Sequence, residues 1–497
     1  MALRRGTGAK TSASPNWAGS PYISGSTRRP PLARIVWNSF GVSGQDRSPR
    51  VELDHTTSYE ILVPQPVGRT WFMGKRRVLS VTPSAARLTE SLRDVGYDFP
   101  AAVADLVDNS VMAGAGRIDV LIEFDGPDSS VLVIDDGDGM SENGLVEALR
   151  FGTRRSYNRG DLGRYGLGLK TASLSQCRSL TVVTRRRAAN SRRSERQLDL
   201  DVILDLDEWL VIDPLNRASV DRASRLLEES PGTVVIWDKL DRVLPEKNPA
   251  GGWARRRFET LSAKTAEHLS MVFHRYLTGL PGREPLIISV NGEKLRPWDP
   301  FASDEPATAQ LPPHRFELVH GELTGAVTFK RFILPGRHRF STAAEFDRLS
   351  GPLKWNRQQG LYVYRADRLV QWGGWAGIRA IDEHTKLARA SLDFDTDLDT
   401  AFNINVAKTR VGVPPQLRQM LERPINDLCI RAGNAYRRSH RSNRRSPRET
   451  REHTALNHDI GVAMRSAAIQ AGEYAAFKKV ARALRKMAPD IADELGL

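Results

Sequence analysis

Cysteine is almost missing: Cys177 and Cys429 are the only two in 497 residues, far apart and without a metal-ligand spacing. That excludes a disulfide framework and a cysteine-held zinc site, fits a reducing compartment, and leaves neither thiol a credible nucleophile. Long apolar runs are missing too. No stretch approaches the length needed to cross a bilayer, and the N-terminus lacks the apolar core of a secretory signal, so a cytoplasmic or nucleoid-associated protein is expected, with no membrane partner. Asp and Glu are absent from the first 45 positions, which hold several Arg and many Ser, Gly and Pro. Residues 1–80 therefore read as a disordered basic tail. That composition also fits a transit segment, although no convincing amphipathic helix accompanies it.

What remains is ample for folding. The length exceeds one typical core, and 40% hydrophobic with 27% charged residues suits two or three globular domains. Chemistry concentrates in three ordered motifs: Asp105-Leu-Val-Asp108-Asn109, Asp135-Asp136-Gly137-Asp138-Gly139, and Gly163-Arg-Tyr-Gly166-Leu-Gly168-Leu-Lys170-Thr171.

The first lies in an apolar-rich stretch with Pro100 near its start, which predicts a helix over 99–112. Asp105 and Asn109 are four apart and share a face. An Asn oxygen suits Mg²⁺, which takes one or two protein oxygens plus phosphate and water, while a neighbouring carboxylate suits activation of an attacking water. Alone, the segment reads more readily as a solvated acidic face. The second motif follows expected strands at 117–124 and 131–134, so Asp135 ends a strand. A carboxylate there accepts the exocyclic amine of adenine, where guanine presents a carbonyl. Gly137 and Gly139 let the backbone turn and approach a flat base, although Asp and Gly are also ordinary turn residues.

The third motif resembles a Walker loop only superficially, because Leu169 separates Gly168 from Lys170-Thr171 and the order Gly-x-x-Gly-x-Gly reverses the dinucleotide fingerprint. What it spells is a glycine hinge opening a helix over about 166–176, whose N-terminal amides suit phosphate. Residues 151–165, polar and rich in Arg and Gly, read as a mobile lid. Lys170 and Thr171 open that helix and take a secondary phosphate-contact role. Together the three motifs spell a site for a nucleoside triphosphate.

In order and spacing the chain resembles the GHKL ATPase superfamily of gyrase B, MutL, histidine kinases and the ninety-kilodalton heat-shock chaperones. The resemblance is nearest to MORC-type ATPases and their bacterial relatives, through Ala102-Val-Ala-Asp-Leu-Val-Asp-Asn-Ser110, the stretch 163–171 and Gly232-Thr-Val-Val-Ile-Trp237. Further on, the stretches 360–370 and 405–411 look like the transducer domain of those proteins. The likeness covers about residues 83 to 430.

It implies an α/β sandwich ATPase module of the GHKL, or Bergerat, type at 83–245, then a helical connector at 246–284 and a smaller α/β transducer domain at 285–430. It also implies ATP and Mg²⁺ as ligands. Asp105 would activate water, Asn109 would hold Mg²⁺, Asp135 would select adenine, and Gly137 and Gly139 would shape the base pocket. Gly163, Gly166 and Gly168 would form the phosphate lid. Thr233 would support Asp135 by a hydrogen bond or through water, and Lys408 would reach the γ-phosphate. The family commonly has Glu at the position of Asp105, and the shorter arm demands a tighter pocket or lowers the rate. Asp108 would replace it only if the helix rotated. The histidine-kinase branch is disfavoured: no histidine lies between 56 and 104 to serve as phosphoacceptor.

The alternating sequence 198–206 predicts a strand, 253–280 a connecting helix, Ile287-Ile-Ser-Val-Asn-Gly292 a hairpin opening the second domain, and 414 onward a closing helix. Trp355, Trp372 and Trp375 are expected in the core. Residues 431–451 hold eight Arg against one acidic residue, so 431–455 reads as a basic linker, followed by a helical tail at 456–497. Net charge +14 and Arg clusters at 185–187, 192–196 and 255–257 point to a polyanion, DNA above all, bound through phosphates without sequence readout. By resemblance, ATP would close the lid and drive homodimerisation on DNA, in bacterial defence or DNA maintenance. A nucleotide-gated scaffold with little turnover and a chaperone-like remodeller are the alternatives.

Overall fold

The computed structural model describes residues 70–73, 76–79, 81, 83–94, 96–152, 166–188, 190–228, 230–320, 323–405, 408, 411–444 and 449–497. The chain divides into two units, residues 1–80 and 81–497. In the first, β1 (Thr70–Met73) and β2 (Arg76–Leu79) pair antiparallel, so the expected tail contains a hairpin near its end. The expectation for residues 1–69 lies outside the described residues.

The second unit opens with α1 (Ala85–Arg93) and α2 (Phe99–Met112). The Asp98 side chain accepts from the Ala101 amide, and Pro100 occupies the first turn, where its missing N–H leaves no bond unmade. Next come β3 (Arg117–Glu123), β4 (Ser130–Asp135), α3 (Glu142–Leu149), α4 (Gly168–Leu174), β5 (Ser179–Arg185) and β6 (Arg193–Asp199). Where a strand was expected at 198–206, the chain leaves β6 and forms α5 (Leu200–Leu206). Asp199 caps that helix by accepting from the Asp201 amide, and its buried Leu200 and Ile203 sit three apart, so the alternation of Leu and Asp also satisfied a helical period. Helix α6 (Arg217–Leu226) and strand β7 (Gly232–Asp238) follow.

Strand alternation sorts this sheet's side chains onto two faces. Val131, Val133, Val235 and Trp237 face a core closed by α2 and α7 (Gly252–Val272), while Leu132, Val234 and Ile236 face Val220, Ala223 and Leu227 of and beside α6. This is an α/β sandwich. After α8 (His274–Thr278), β8 (Ile287–Val290) and β9 (Glu293–Lys294) form the expected hairpin across Asn291-Gly292, both with positive φ. They do not open the second domain. Strand β8 pairs parallel with β3, which completes a sheet ordered β6-β5-β7-β4-β3-β8-β9 and moves the boundary expected at 285 beyond Lys294.

The second sheet, ordered β10-β11-β14-β12-β13, is built from β10 (Ala309–His320), β11 (Leu323–Ile333), β12 (Gly360–Arg365), β13 (Arg368–Trp372) and β14 (Ala388–Phe394), with α9 (Ala343–Leu349) and α10 (Lys354–Gln358) inserted. Leu417, Leu421, Ile425 and Leu428 of α11 (Pro415–Arg444) cover one face. Met271 of α7 joins the opposite core with Tyr362, Tyr364 and Trp298, so α7 spans both modules. Trp375 is buried and Trp355 and Trp372 pack against core clusters, as expected.

Helix α11 runs on through Arg444, so much of the expected basic linker is helical, consistent with the good helix propensity of arginine. Helices α12 (Glu449–Gln470), α13 (Tyr474–Met487) and α14 (Pro489–Glu494) form the tail. Among the described residues no helix is long and apolar enough to cross a membrane.

Candidate functional site

Three elements meet at α2. Its residues Asp105 and Asp108 are buried while Asn109 is exposed, so one helix carries two sequestered carboxylates and one open amide. Tyr97 donates its hydroxyl to Asp105 Oδ2 at 2.9 Å. Burial and the Asp105 charge push the Tyr97 phenol far up, so it stays a donor. The other oxygen, Oδ1, accepts from Lys408 Nζ at 2.6 Å.

The third motif approaches the same carboxylate. Gly168 lies so close that a Cβ there would stand 2.5 Å from Asp105 Oδ2, which makes the missing side chain the condition for contact between the glycine loop and α2. Gly166 has φ +61, a conformation glycine adopts freely. Gly163 lies outside the described residues, as does most of the expected lid. Helix α4 is shorter than expected, at Gly168–Leu174. Within it the Lys170 ammonium is buried and bonded to the carbonyls of Ala148, at 2.9 Å, and Gly166. Burial lowers its pKa to about 8. The Thr171 hydroxyl donates to the Leu167 carbonyl at 3.0 Å. Lys170 and Thr171 thus sit behind the loop, bonded to its backbone.

At the other end of α2, the Ser110 hydroxyl donates to Asp135 Oδ2 at 2.8 Å, and the Gly137 amide donates to Oδ1 at 3.0 Å. Burial raises the Asp135 pKa, and the bonds from Ser110 and the Gly137 and Thr233 amides oppose that rise. A Cβ on Gly137 would meet Ala113 at 2.9 Å, and one on Gly139 would fall 2.0 Å from the Arg185 carbonyl. Both glycines are required for the loop to fold over the strand end. Thr233 faces Asp135 in the β4–β7 register, but its hydroxyl meets Thr184 Oγ1 at 3.1 Å, and Thr184 Oγ1 also accepts from the Met140 amide at 2.9 Å. Thr233 supports the pocket through the strand ladder and this hydroxyl pair.

Two residues gain significance that the sequence did not reveal. Ser110 is one; it follows Asn109 directly and could have been marked as the next hydroxyl on α2. Arg368 is the other. Its Nε donates to Asp108 Oδ1 at 2.8 Å, while Lys408 Nζ donates to Asp108 Oδ2 at 2.8 Å. Burial pushes the Asp108 carboxyl up, and the two cations outweigh it and hold the pKa below its ordinary value. Asp108 is thus an anchor for the second module, and no rotation of α2 is needed to give it a partner. Lys408 stands on the carboxylates, so reaching a phosphate requires it to leave them.

The donor set suits a magnesium-bound nucleotide. Asn109 offers an exposed side-chain amide oxygen, and among the described residues no cluster of three His, Cys, Asp or Glu would hold a metal without phosphate oxygens. Buried His274 bonds Tyr364 at 2.9 Å, and His268 packs against Trp372; burial lowers both pKa values to about 4.

Residues 97–233 match the family described as Histidine kinase-, DNA gyrase B-, and HSP90-like ATPase. The matched stretch runs from Tyr97 to Thr233 and contains α2, the Asp135 loop and α4, so this part of the chain is similar to the GHKL-type ATPase domain. No curated protein matches the chain.

Proposed function

We propose that the Histidine kinase-, DNA gyrase B-, and HSP90-like ATPase domain at residues 97–233 hydrolyses Mg²⁺-bound ATP and uses the cycle to clamp DNA. The observation that carries the hydrolytic reading is the meeting of three elements at one carboxylate: Asp105 contacts Tyr97 and Lys408, and Gly168 leaves room for the glycine loop against it. Asp135 would accept the adenine amine. Asn109 would hold Mg²⁺, which would screen phosphate charge. Once Lys408 withdraws, Asp105 Oδ1 would accept a proton from water, with Tyr97 fixing the carboxylate's orientation through Oδ2. Lys408 would then stabilise negative charge developing on the terminal phosphate. The short aspartate is matched by a close approach of the loop, as a one-methylene-shorter base requires.

The likeness of 102–110, 163–171 and 232–237 to MORC-type ATPases supports a lid that closes on ATP and a homodimer that closes with it; DNA maintenance or defence is the context this suggests. For DNA, the arginine clusters differ. Arg187 is engaged with Asp138, and Arg193 and Arg196 pair with Glu195, Glu142 and Asp213. Arg255, Arg256 and Arg257 are exposed and form no ion pair among the described residues, and Arg257 lies 5.4 Å from the ring centre of Trp253, itself 55% exposed. Arg255 lies over Phe124, just beyond the end of β3 remote from Asp135. A cationic, aromatic surface of this kind suits nucleic acid.

Steady-state ATP hydrolysis with and without duplex DNA tests the proposal. Turnover that is lost in Asp105→Ala and Asn109→Ala and stimulated by DNA is expected; binding without turnover would support the nucleotide-gated scaffold instead.

A further inference from the structure

Two carboxylates of α2, Asp105 and Asp108, face two cations of the second module, Arg368 and Lys408. Lys408 bridges both acids, whereas Arg368 touches only Asp108. The acids differ in what they keep if the lysine departs. Asp105 retains the Tyr97 hydroxyl. Asp108 is fully buried and, among the described residues, retains Arg368, whose own side chain is 4% exposed, anchored to the Leu369 carbonyl at 3.3 Å and lying 5.8 Å from the Phe273 ring centre. A buried carboxylate stripped of every counter-charge is strongly unfavourable.

We infer that Arg368 is a positioning residue that frees Lys408 for the terminal phosphate, by neutralising Asp108 so that the lysine can leave it. With Arg368 in place, transfer of Lys408 leaves Asp108 paired, and it uncovers Asp105 Oδ1, whose carboxylate keeps the Tyr97 hydroxyl, at the same moment. Without Arg368, Lys408 is the remaining counter-ion of Asp108 among the described residues and is held there. The arginine acts without touching nucleotide. This rests on the reading that Lys408 serves the terminal phosphate.

The test compares affinity for ADP with affinity for a non-hydrolysable ATP analogue whose terminal phosphate is intact, alongside kcat. The ratio of the two affinities isolates the terminal-phosphate interaction. Arg368→Gln is expected to leave ADP affinity within about twofold while reducing preference for the analogue and kcat by about tenfold or more. Arg368→Lys, which keeps the charge, should retain most of the preference. Arg368→Gln combined with Asp108→Asn should recover it, because position 108 then carries no charge to hold the lysine. A merely structural role predicts the opposite, with two core defects adding and nucleotide binding declining as a whole.

Asp108→Asn alone applies the same logic with Arg368 untouched: analogue preference should equal or exceed the parent's, and a lower preference would overturn the inference even if Arg368→Gln failed to fold. Unchanged preference in folded Arg368→Gln, or no recovery in the folded double variant, would also overturn it. Lys408→Ala separates the two levels. If that variant keeps the parent's preference for the analogue, the lysine does not serve the terminal phosphate and the underlying reading fails; if it loses the preference while Arg368→Gln does not, only the role of Arg368 fails.

Discussion

Gly168→Ala tests whether the glycine loop must touch the Asp105 carboxylate. An added Cβ would stand 2.5 Å from Asp105 Oδ2, whereas an unstrained contact sits near 3.5 Å. Either the loop retreats or the carboxylate turns by about 1 Å, and a displacement of that size in reacting groups costs about 100-fold in rate. Turning the carboxylate also breaks the 2.9 Å bond from Tyr97 and the 2.6 Å bond from Lys408. Crowding of a packed site adds about 1–3 kcal/mol of lost stability. The assay is kcat/KM for ATP, with thermal unfolding to show that the variant is folded. Gly412→Ala is the control, because its Cβ would stand 3.5 Å from the Phe402 carbonyl and require no displacement. A folded Gly168→Ala enzyme with kcat/KM within about threefold of the parent would refute the reasoning.

Removing the Ser110 hydroxyl should raise the Asp135 pKa further and weaken ATP binding by about tenfold, the worth of about one hydrogen bond to a charged group; calorimetric titration of Ser110→Ala checks this. Burial lowers the Lys170 pKa to about 8, and the protonated form is the one that best holds the Ala148 and Gly166 carbonyls behind the glycine loop. ATP affinity should therefore fall as pH rises through about 8 in the parent and stay flat across that interval in Lys170→Met. Replacing Arg256 and Arg257 with Ala should weaken DNA binding and reduce the slope of log affinity against log salt by about 2, if each arginine meets one phosphate. Hydrolysis without DNA should be unchanged, and an unaltered salt slope would remove α7 from the DNA surface.

The site's local parts were legible in the sequence because each follows from short-range physics. Pro100 marks the start of α2, the apolar run 131–134 ends in Asp135, and Asn291-Gly292 marks its hairpin. Local pattern failed where two periods overlapped, as at 198–206, where Leu and Asp alternate yet Leu200 and Ile203 share a helical face. It also failed where pairing is distant. Nothing in 287–290 announces β3 as its neighbour rather than the second sheet. Arg368 lies 260 positions from Asp108, and Lys408 lies 303 from Asp105. Such a pair leaves no periodic trace; only the fold shows that Asp108 is an anchor and that Lys408 rests on two carboxylates. The glycines gave a half-signal: their clustering marked the loops, whereas the reason for Gly168 is the neighbouring Asp105 oxygen.

The central claim is that α2, the Asp135 loop and α4 form an adenine-selective triphosphate site, and calorimetric titration of ATP and GTP into the parent and Asp135→Ala, with Mg²⁺ present, tests it most directly. The account predicts saturable ATP binding, at least about tenfold weaker GTP binding, and loss of the preference in Asp135→Ala. Equal binding of both nucleotides, or ATP binding untouched by Asp135→Ala in a folded protein, would contradict it.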